Sequence, residues 1–269
     1  MHLPKSKPKP AIWKVVLTVP MLIAALLFPI GAYAVDESPS PSPSASPSVS
    51  PSPSASPSPD VSPSPSPSPV ASGDPGPVVY EINAASSITV VVNKKRPLTP
   101  ITYKPKLTTT GGIYVATETA AAYKQLKAAV LAQKLGTLCI NSGYRSYASQ
   151  KAIHAARVSA LGKTAGEKLA ARPGYSEHQT GLAIDISTTA LSCRIGSFGP
   201  SKASKWIAAN AWQYGFVVRY PSNSKTAVTG YVWEPWHLRF VGVELATEMK
   251  SKKIATLEEF FGLPAAPKY

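Results

Sequence analysis

The fold of this chain is organised around the stretch SEHQTGLAID, residues Ser176 to Asp185. Its second half is an apolar run typical of a central strand, yet Asp185 lies inside that run, between Ile184 and Ile186. A charged side chain is costly to desolvate there unless a buried cation or a metal ion pairs with it. The stretch therefore predicts a partner for Asp185 elsewhere in the chain.

A second segment, EPWH at residues 234–237, offers that partner. It carries a carboxylate and a histidine in an aromatic, hence partly buried, setting. His178, Asp185 and His237 would form a zinc site of two imidazoles and one carboxylate with one open position. Glu234 would lie beside that metal.

The spacing of these residues does not decide whether the partner of Asp185 is a metal ion or a buried cation. The sequence contains no H-E-x-x-H motif, so the common helical metalloprotease arrangement is absent. Of the two other histidines, His2 lies near the N-terminus, and His154 lies among alanines in a predicted helix, where a surface or packing role is usual.

The N-terminal residues 1–34 are typical of an export signal. Lysines precede an apolar run from Val15 to Ala32, and Ala32-Tyr33-Ala34 fits the A-x-A pattern of signal peptidase sites. An uncleaved membrane anchor is the alternative, because the run approaches the length that spans a bilayer. Either interpretation places the rest of the chain outside the cytoplasm, in the cell wall or at the outer face of the membrane.

Residues 35–77 are rich in proline and serine and cannot bury a core. Closely spaced prolines favour extended polyproline II, so we expect a semi-rigid, disordered spacer. Residues 78–269 remain as one folded domain of ordinary size.

The formal net charge of +14 predicts attraction to a polyanion. Export disfavours nucleic acid and favours anionic cell-wall polymers or lipid. We expect membrane contact only through the N-terminal segment, if it is uncleaved.

Both cysteines of the chain, Cys139 and Cys193, lie in the exported part. An oxidising compartment favours a Cys139–Cys193 disulfide, although two isolated buried thiols are the alternative.

Hydrophobic periodicity predicts helices and strands without a regular βαβ alternation. The fold class expected is therefore α+β with a mainly antiparallel sheet and flanking helices. Expected strands cover residues 78–82, 88–92, 137–141, 182–187, 216–220 and part of 231–240, and expected helices cover 118–134, 147–161, 201–215, 243–252 and 256–261.

Three separated blocks together resemble the zinc D-alanyl-D-alanine carboxypeptidases of the VanY type, with their hedgehog/DD-peptidase-like fold. The blocks are SGYRS at 142–146 with Gln150, RPGYSEHQTGLAID at 172–185, and EPWHLR at 234–239. Residues 93–100 are also similar to the arm that precedes the catalytic core of that family. The resemblance covers about residues 91–241.

The resemblance implies Zn²⁺ bound by His178, Asp185 and His237, with Glu234 as the catalytic base. It also implies that Arg145 binds the terminal carboxylate of the substrate, for which its planar guanidinium is suited. Gln150 and Ser176 correspond to substrate hydrogen-bonding positions, with capping or solvated polarity as the alternative.

The function implied is an exported metallopeptidase that removes the C-terminal D-alanine from peptidoglycan stem peptides. One alternative keeps the site and changes the bond, giving an L,D-carboxypeptidase or a cross-link endopeptidase. Another alternative is a non-catalytic wall-binding module with a structural zinc ion. The presence of Glu234 and Arg145 argues against it.

Overall fold

The computed structural model describes residues 78–269. The expected export signal and the expected spacer lie outside the described residues. Among the residues that are described, no helix combines the length and the apolarity needed to cross a bilayer.

The described part of the chain contains six strands and seven α-helices, joined by short 3₁₀ turns. The strands are β1 (Leu107–Thr110), β2 (Ile113–Ala116), β3 (Leu138–Ser142), β4 (Ala183–Thr188), β5 (Phe216–Tyr220) and β6 (Glu234–Phe240). The helices are α1 (Thr117–Ala132), α2 (Tyr147–Leu161), α3 (Lys163–Gly166), α4 (Lys202–Asn210), α5 (Thr226–Thr229), α6 (Val243–Ser251) and α7 (Leu257–Phe260).

The central feature is a four-stranded sheet in the order β3-β4-β6-β5, with every neighbouring pair antiparallel. A separate hairpin joins β1 to β2. Helices flank these strands, so the predicted α+β class with an antiparallel sheet is confirmed.

The core packs helix α1 against the sheet. Tyr123, Leu126 and Val130 recur at helical spacing and are buried beside Ile184 and Leu238 of the two central strands. The apolar run around Asp185 is therefore a buried strand, as its sequence predicts.

Helix boundaries follow capping chemistry. Ser146 and Ser201 each accept a hydrogen bond from the backbone N–H three residues later, at the starts of α2 and α4. Gly162, with φ of 75°, ends α2 as predicted. The helix expected over 201–215 is shorter, because a 3₁₀ turn replaces its last part.

Two expected strands, 78–82 and 88–92, are wrong. The chain there is irregular: one backbone bond, from the Val91 N–H to the Ile82 carbonyl, joins the two segments, and the Arg96 side chain also donates to the carbonyls of Val91 and Ile82. The β-branched residues of the second segment are nevertheless buried from Val90 to Val92, whereas Val78 and Val79 of the first are exposed. An apolar β-branched run thus marks a buried extended segment without specifying a sheet.

The hairpin β1–β2 was not predicted from the sequence, although its turn carries a clear signal. Gly111 and Gly112 both adopt positive φ, which two-residue hairpin turns require and which glycine adopts without steric cost.

The predicted disulfide between Cys139 and Cys193 is present, with a Cα–Cα distance of 5.6 Å. It joins β3 to the segment that follows β4.

Candidate metal centre

Strand pairing brings the candidate ligands together. Asp185 of β4 is the direct register partner of His237 of β6, so their side chains project from the same face of the sheet. His178 lies in the 3₁₀ turn Glu177–Thr180 that leads into β4. Gly181 ends this turn at a positive φ of 69°, and a Cβ there would lie 2.8 Å from the backbone nitrogen of Ala116.

The three side chains converge closely enough to hold one metal ion. Asp185 Oδ2 lies 3.4 Å from His178 Nε2, and Asp185 Oδ1 lies 3.1 Å from His237 Nδ1. One candidate ligand atom from each residue lies within 4.8 Å of the others. Their chemistry, two imidazole nitrogens and one carboxylate oxygen, suits zinc.

A backbone contact orients the imidazole of His178. Its Nδ1 lies 2.7 Å from the carbonyl oxygen of Gly143, which accepts the Nδ1 proton. Nε2 then carries the lone pair, and this buried atom has no hydrogen-bond partner. A buried imidazole nitrogen that has no hydrogen-bond partner and faces a carboxylate fits the role of a metal ligand.

The pKa values of the two candidate histidine ligands are shifted in opposite directions. Burial and the nearby Arg145 guanidinium lower the pKa of His178 to about 4. Burial also disfavours the charged form of His237, but contacts with Asp185 and Glu177 outweigh it and raise that pKa to about 9. Burial likewise opposes ionisation of Asp185, yet the two histidines hold its pKa well below the usual range.

Glu234 lies beside the site, as its position in the sequence suggests. Its Oε2 is 3.9 Å from His237 Nδ1, and the carboxylate is largely buried. Burial raises the pKa of Glu234 to about 7 against the opposing influence of His237.

Arg145, Gln150 and Ser176 line the same small pocket as His178 and Glu234. Arg145 Nη1 donates to Gln150 Oε1 at 3.1 Å. The Gln150 amide in turn donates to the carbonyl of Ala171 at 2.7 Å. Gln150 is therefore placed to orient Arg145.

Sequence reasoning missed several residues of this pocket. Tyr220 and Tyr231 form part of its wall. Three aromatic residues in or beside the sequence blocks, Tyr144, Trp233 and Trp236, do not line it. Trp233 instead borders a larger apolar groove of about 890 Å³, which includes none of the candidate ligands. That groove is unsuited to metal chemistry because no histidine, cysteine or carboxylate lines it.

Glu177, Arg219 and Arg239 were also missed, and all three are buried next to the candidate ligands. A signal existed for the arginines, since each interrupts an apolar strand. Glu177 directly precedes His178 in the same motif, and this position was a signal that it lies near the site.

The comparisons with known proteins agree with this geometry. The family model of VanY, D-alanyl-D-alanine carboxypeptidase, matches residues 112–243. The bifunctional D-Ala-D-Ala dipeptidase and D-Ala-D-Ala carboxypeptidase VanXYC of Enterococcus gallinarum is 31% identical over 179 residues, which cover 63% of this chain and 91% of that protein.

The chain belongs to the VanY family.

Two solved structures support the same fold. The LdcB LD-carboxypeptidase matches with a TM-score of 0.60 and 38% identity, covering 66% of this chain and 87% of that one. A VanY D,D-pentapeptidase variant in complex with Zn(II) matches with a TM-score of 0.56 and 33% identity, covering 64% of this VanY-family chain and 97% of that one.

The putative carboxypeptidase YodJ of Bacillus subtilis (strain 168) is 44% identical over 150 residues, which cover 55% of this chain and 54% of YodJ. The alignments also span 44% and 46% of two D-alanyl-D-alanine carboxypeptidases of Enterococcus. This member of the VanY family thus spans about half the length of these curated relatives.

Proposed function

We propose that this chain is an exported zinc D,D-carboxypeptidase, which releases the terminal D-alanine from peptidoglycan stem peptides. The observation that carries the proposal is a pocket lined by His178, His237, the buried carboxylate Glu234 and Arg145, with Asp185 close enough to both histidines to share one metal ion. Family membership supports the reaction class, and the N-terminal sequence supports export.

His178, Asp185 and His237 would hold the zinc ion. When bound at such a site, zinc polarises a carbonyl and lowers the pKa of its bound water to roughly 7.

Recognition of the substrate falls to Arg145. Its guanidinium can bind the terminal carboxylate of the peptide with two parallel hydrogen bonds. The contact with Gln150 fixes that guanidinium, and Tyr220 and Tyr231 line the pocket beside it. The scissile peptide bond lies one residue from this carboxylate, so binding of the carboxylate by Arg145 fixes the position of the bond.

Glu234 moves the proton. Its carboxylate takes a proton from the attacking water, whose oxygen bonds to the carbonyl carbon of the scissile bond. The carbon–nitrogen bond then breaks, and Glu234 delivers the proton to the leaving amine nitrogen. D-alanine leaves with a neutral amine, and the shortened peptide leaves as a carboxylic acid that carries the second proton of the water and then loses it to solvent.

The related LdcB LD-carboxypeptidase makes L,D-cleavage the main rival within the same site. A pentapeptide ending in D-Ala-D-Ala and a tetrapeptide ending in an L-residue followed by D-Ala separate the two activities. Purified protein should shorten the pentapeptide by one D-alanine, as mass spectrometry would show, and a zinc chelator should stop the reaction reversibly.

Three results would contradict the proposal. Cleavage of the tetrapeptide alone would establish the L,D-activity, and cleavage of a cross-linked dimer alone would establish an endopeptidase. Binding to peptidoglycan without cleavage, unaffected by the chelator, would establish a wall-binding module.

A further inference from the structure

A buried carboxylate, Glu177, lies between the candidate ligand His237 and two arginines. Its Oε2 is 3.5 Å from His237 Nε2, and neither of these two buried atoms has a hydrogen-bond partner elsewhere. Its Oε1 accepts from Arg219 Nε at 2.8 Å and from Arg239 Nη1 at 2.9 Å. The arginines therefore fix one oxygen of Glu177, while the other oxygen faces the imidazole.

The same contacts indicate which nitrogen of His237 is available to a metal. Nδ1 faces Asp185 at 3.1 Å and Glu234 at 3.9 Å, inside the proposed zinc site. Nε2 points the opposite way, toward Glu177. Histidines that bind a metal through one nitrogen commonly donate the other N–H to a carboxylate or a backbone carbonyl, which fixes the ring. His178 uses the carbonyl of Gly143 in this way, and Glu177 is in position to do so for His237.

The network continues from Arg219 to helix α7. Arg219 Nη1 and Nη2 donate to the two oxygens of Glu258 at 2.9 and 2.7 Å, a bidentate pair whose side chains are both 0% exposed. Asn93 Nδ2 donates to Glu258 Oε1 at 3.0 Å. Glu258 thus fixes the plane of the guanidinium whose Nε binds Glu177.

The second arginine is anchored independently. Arg239 Nη2 donates to the carbonyls of Ile88 and Val90 at 3.0 and 2.7 Å. Two arginines and two glutamates balance in charge within this buried cluster, which lowers the cost of its desolvation. The charges of these four side chains therefore neutralise one another without a contribution from the candidate zinc ligands.

We propose that Glu177 is a positioning residue that fixes the His237 imidazole through Nε2, and that Glu258, acting through Arg219, fixes Glu177. This inference rests on the proposed zinc site. It assigns the C-terminal helix α7 a part in metal binding, although Glu258 and Asn93 both lie outside residues 112–243, the part matched by the family model.

The test compares zinc affinity in three variants of the full chain, measured by competition with a chromophoric chelator. Glu177→Gln should weaken zinc binding by about 10–100-fold, the usual cost of losing an outer-shell partner. Glu258→Gln should weaken it in the same direction by a smaller factor, because it acts one contact further away. Glu259→Gln is the matched control on the same helix, since Glu259 pairs with Lys225 at the surface, and it should leave the affinity unchanged.

A purely structural role predicts a different outcome. Glu177→Gln and Glu258→Gln would then lower the unfolding temperature of the zinc-free protein while leaving zinc affinity at the wild-type value, and the inference would be overturned. If Glu258→Gln does not fold, Asn93→Ser is the milder variant: it removes the hydrogen bond to Glu258, the serine oxygen can still accept from the Lys95 N–H, and zinc binding should still weaken. Wild-type protein that binds no zinc would instead refute the proposed function itself, so the two failures are distinguishable.

Discussion

Asp185 and His237 face each other in register across β4 and β6, and Asp185 Oδ1 lies 3.1 Å from His237 Nδ1. The pairing of two strands that are 52 residues apart in sequence thus places a carboxylate against an imidazole. Because both central strands are buried, the relative position of these two groups is fixed before any metal binds.

Asp185→Asn should reduce zinc affinity more than any outer-shell change. It removes the single anionic ligand of the proposed site, so the loss should exceed the roughly 100-fold upper range for outer-shell partners. Chelator competition measures it. His154→Ala is the control, since His154 pairs with Glu167 away from the site, and equal losses in both variants would contradict the assignment.

Glu234→Gln should abolish most of the turnover while zinc remains bound. Loss of a positioned proton-transfer group lowers the rate by about 10²–10⁴-fold. Release of D-alanine from a pentapeptide gives the rate, and metal analysis gives the zinc content. Glu244→Gln, an exposed carboxylate at the start of α6, should be fully active. A Glu234→Gln variant with wild-type turnover would exclude the proposed base.

Arg145→Lys should impair recognition of the peptide carboxylate, because a lysine cannot reproduce the bidentate contact. Loss of a charge-assisted hydrogen bond, worth about 1.5–3 kcal/mol, corresponds to roughly 10–100-fold in kcat/KM. The measurement is repeated on a peptide whose C-terminus is amidated. On the amidated peptide the wild type and the variant should be similarly slow. An equal fold-loss in kcat/KM on both substrates would show that Arg145 does not bind the carboxylate.

The candidate metal ligands could be picked out from the sequence because their chemistry is local and rare. Asp185 is conspicuous inside an apolar strand, and His178 and His237 are two of only four histidines in the chain. Their family resemblance added the roles, which local pattern could not supply. The alternation of apolar residues likewise sufficed for β4, α1 and the α+β class.

The remaining features depend on contacts between distant residues. Nothing near Arg219 in the sequence indicates that it pairs with Glu177 and Glu258, which are 42 and 39 residues away. Residues 78–82 and 88–92 have the composition of strands, but the side chains of Arg96 and Arg239 donate to four of their carbonyls, those of Ile82, Val91, Ile88 and Val90. Pairing between residues so far apart in the chain produces no periodic pattern in the sequence.

Removal of the disulfide should lower stability without removing the metal site. Cys139 and Cys193 are 54 residues apart, so the bridge restricts a long loop in the unfolded chain. The double variant Cys139→Ala, Cys193→Ala should lose about 2–4 kcal/mol of unfolding free energy, measured with denaturant. Zinc affinity of the folded variant should be unchanged. Equal midpoints for the variant and the oxidised wild type would contradict this expectation.

Lys94 should make stability depend on pH in the alkaline range. Its ammonium is buried, donates to the carbonyl of Gly230 at 2.5 Å and lies 4.6 Å from the ring centre of Tyr231. Burial lowers the pKa of Lys94 to about 8 in the folded protein, against 10.5 ordinarily. Between these values the unfolded chain binds the proton and the folded chain does not, so raising the pH from 8 to 10.5 favours the folded state.

The contribution of Lys94 is therefore greatest above pH 10.5 and is lost as the pH falls toward 8. Lys94→Met is the matched variant, because it keeps the length of the side chain and removes the proton. The unfolding free energy of the wild type minus that of Lys94→Met should rise with pH across this window. A difference that stays flat or falls would mean that Lys94 keeps its proton in the folded state, held by the Gly230 carbonyl and the tyrosine ring.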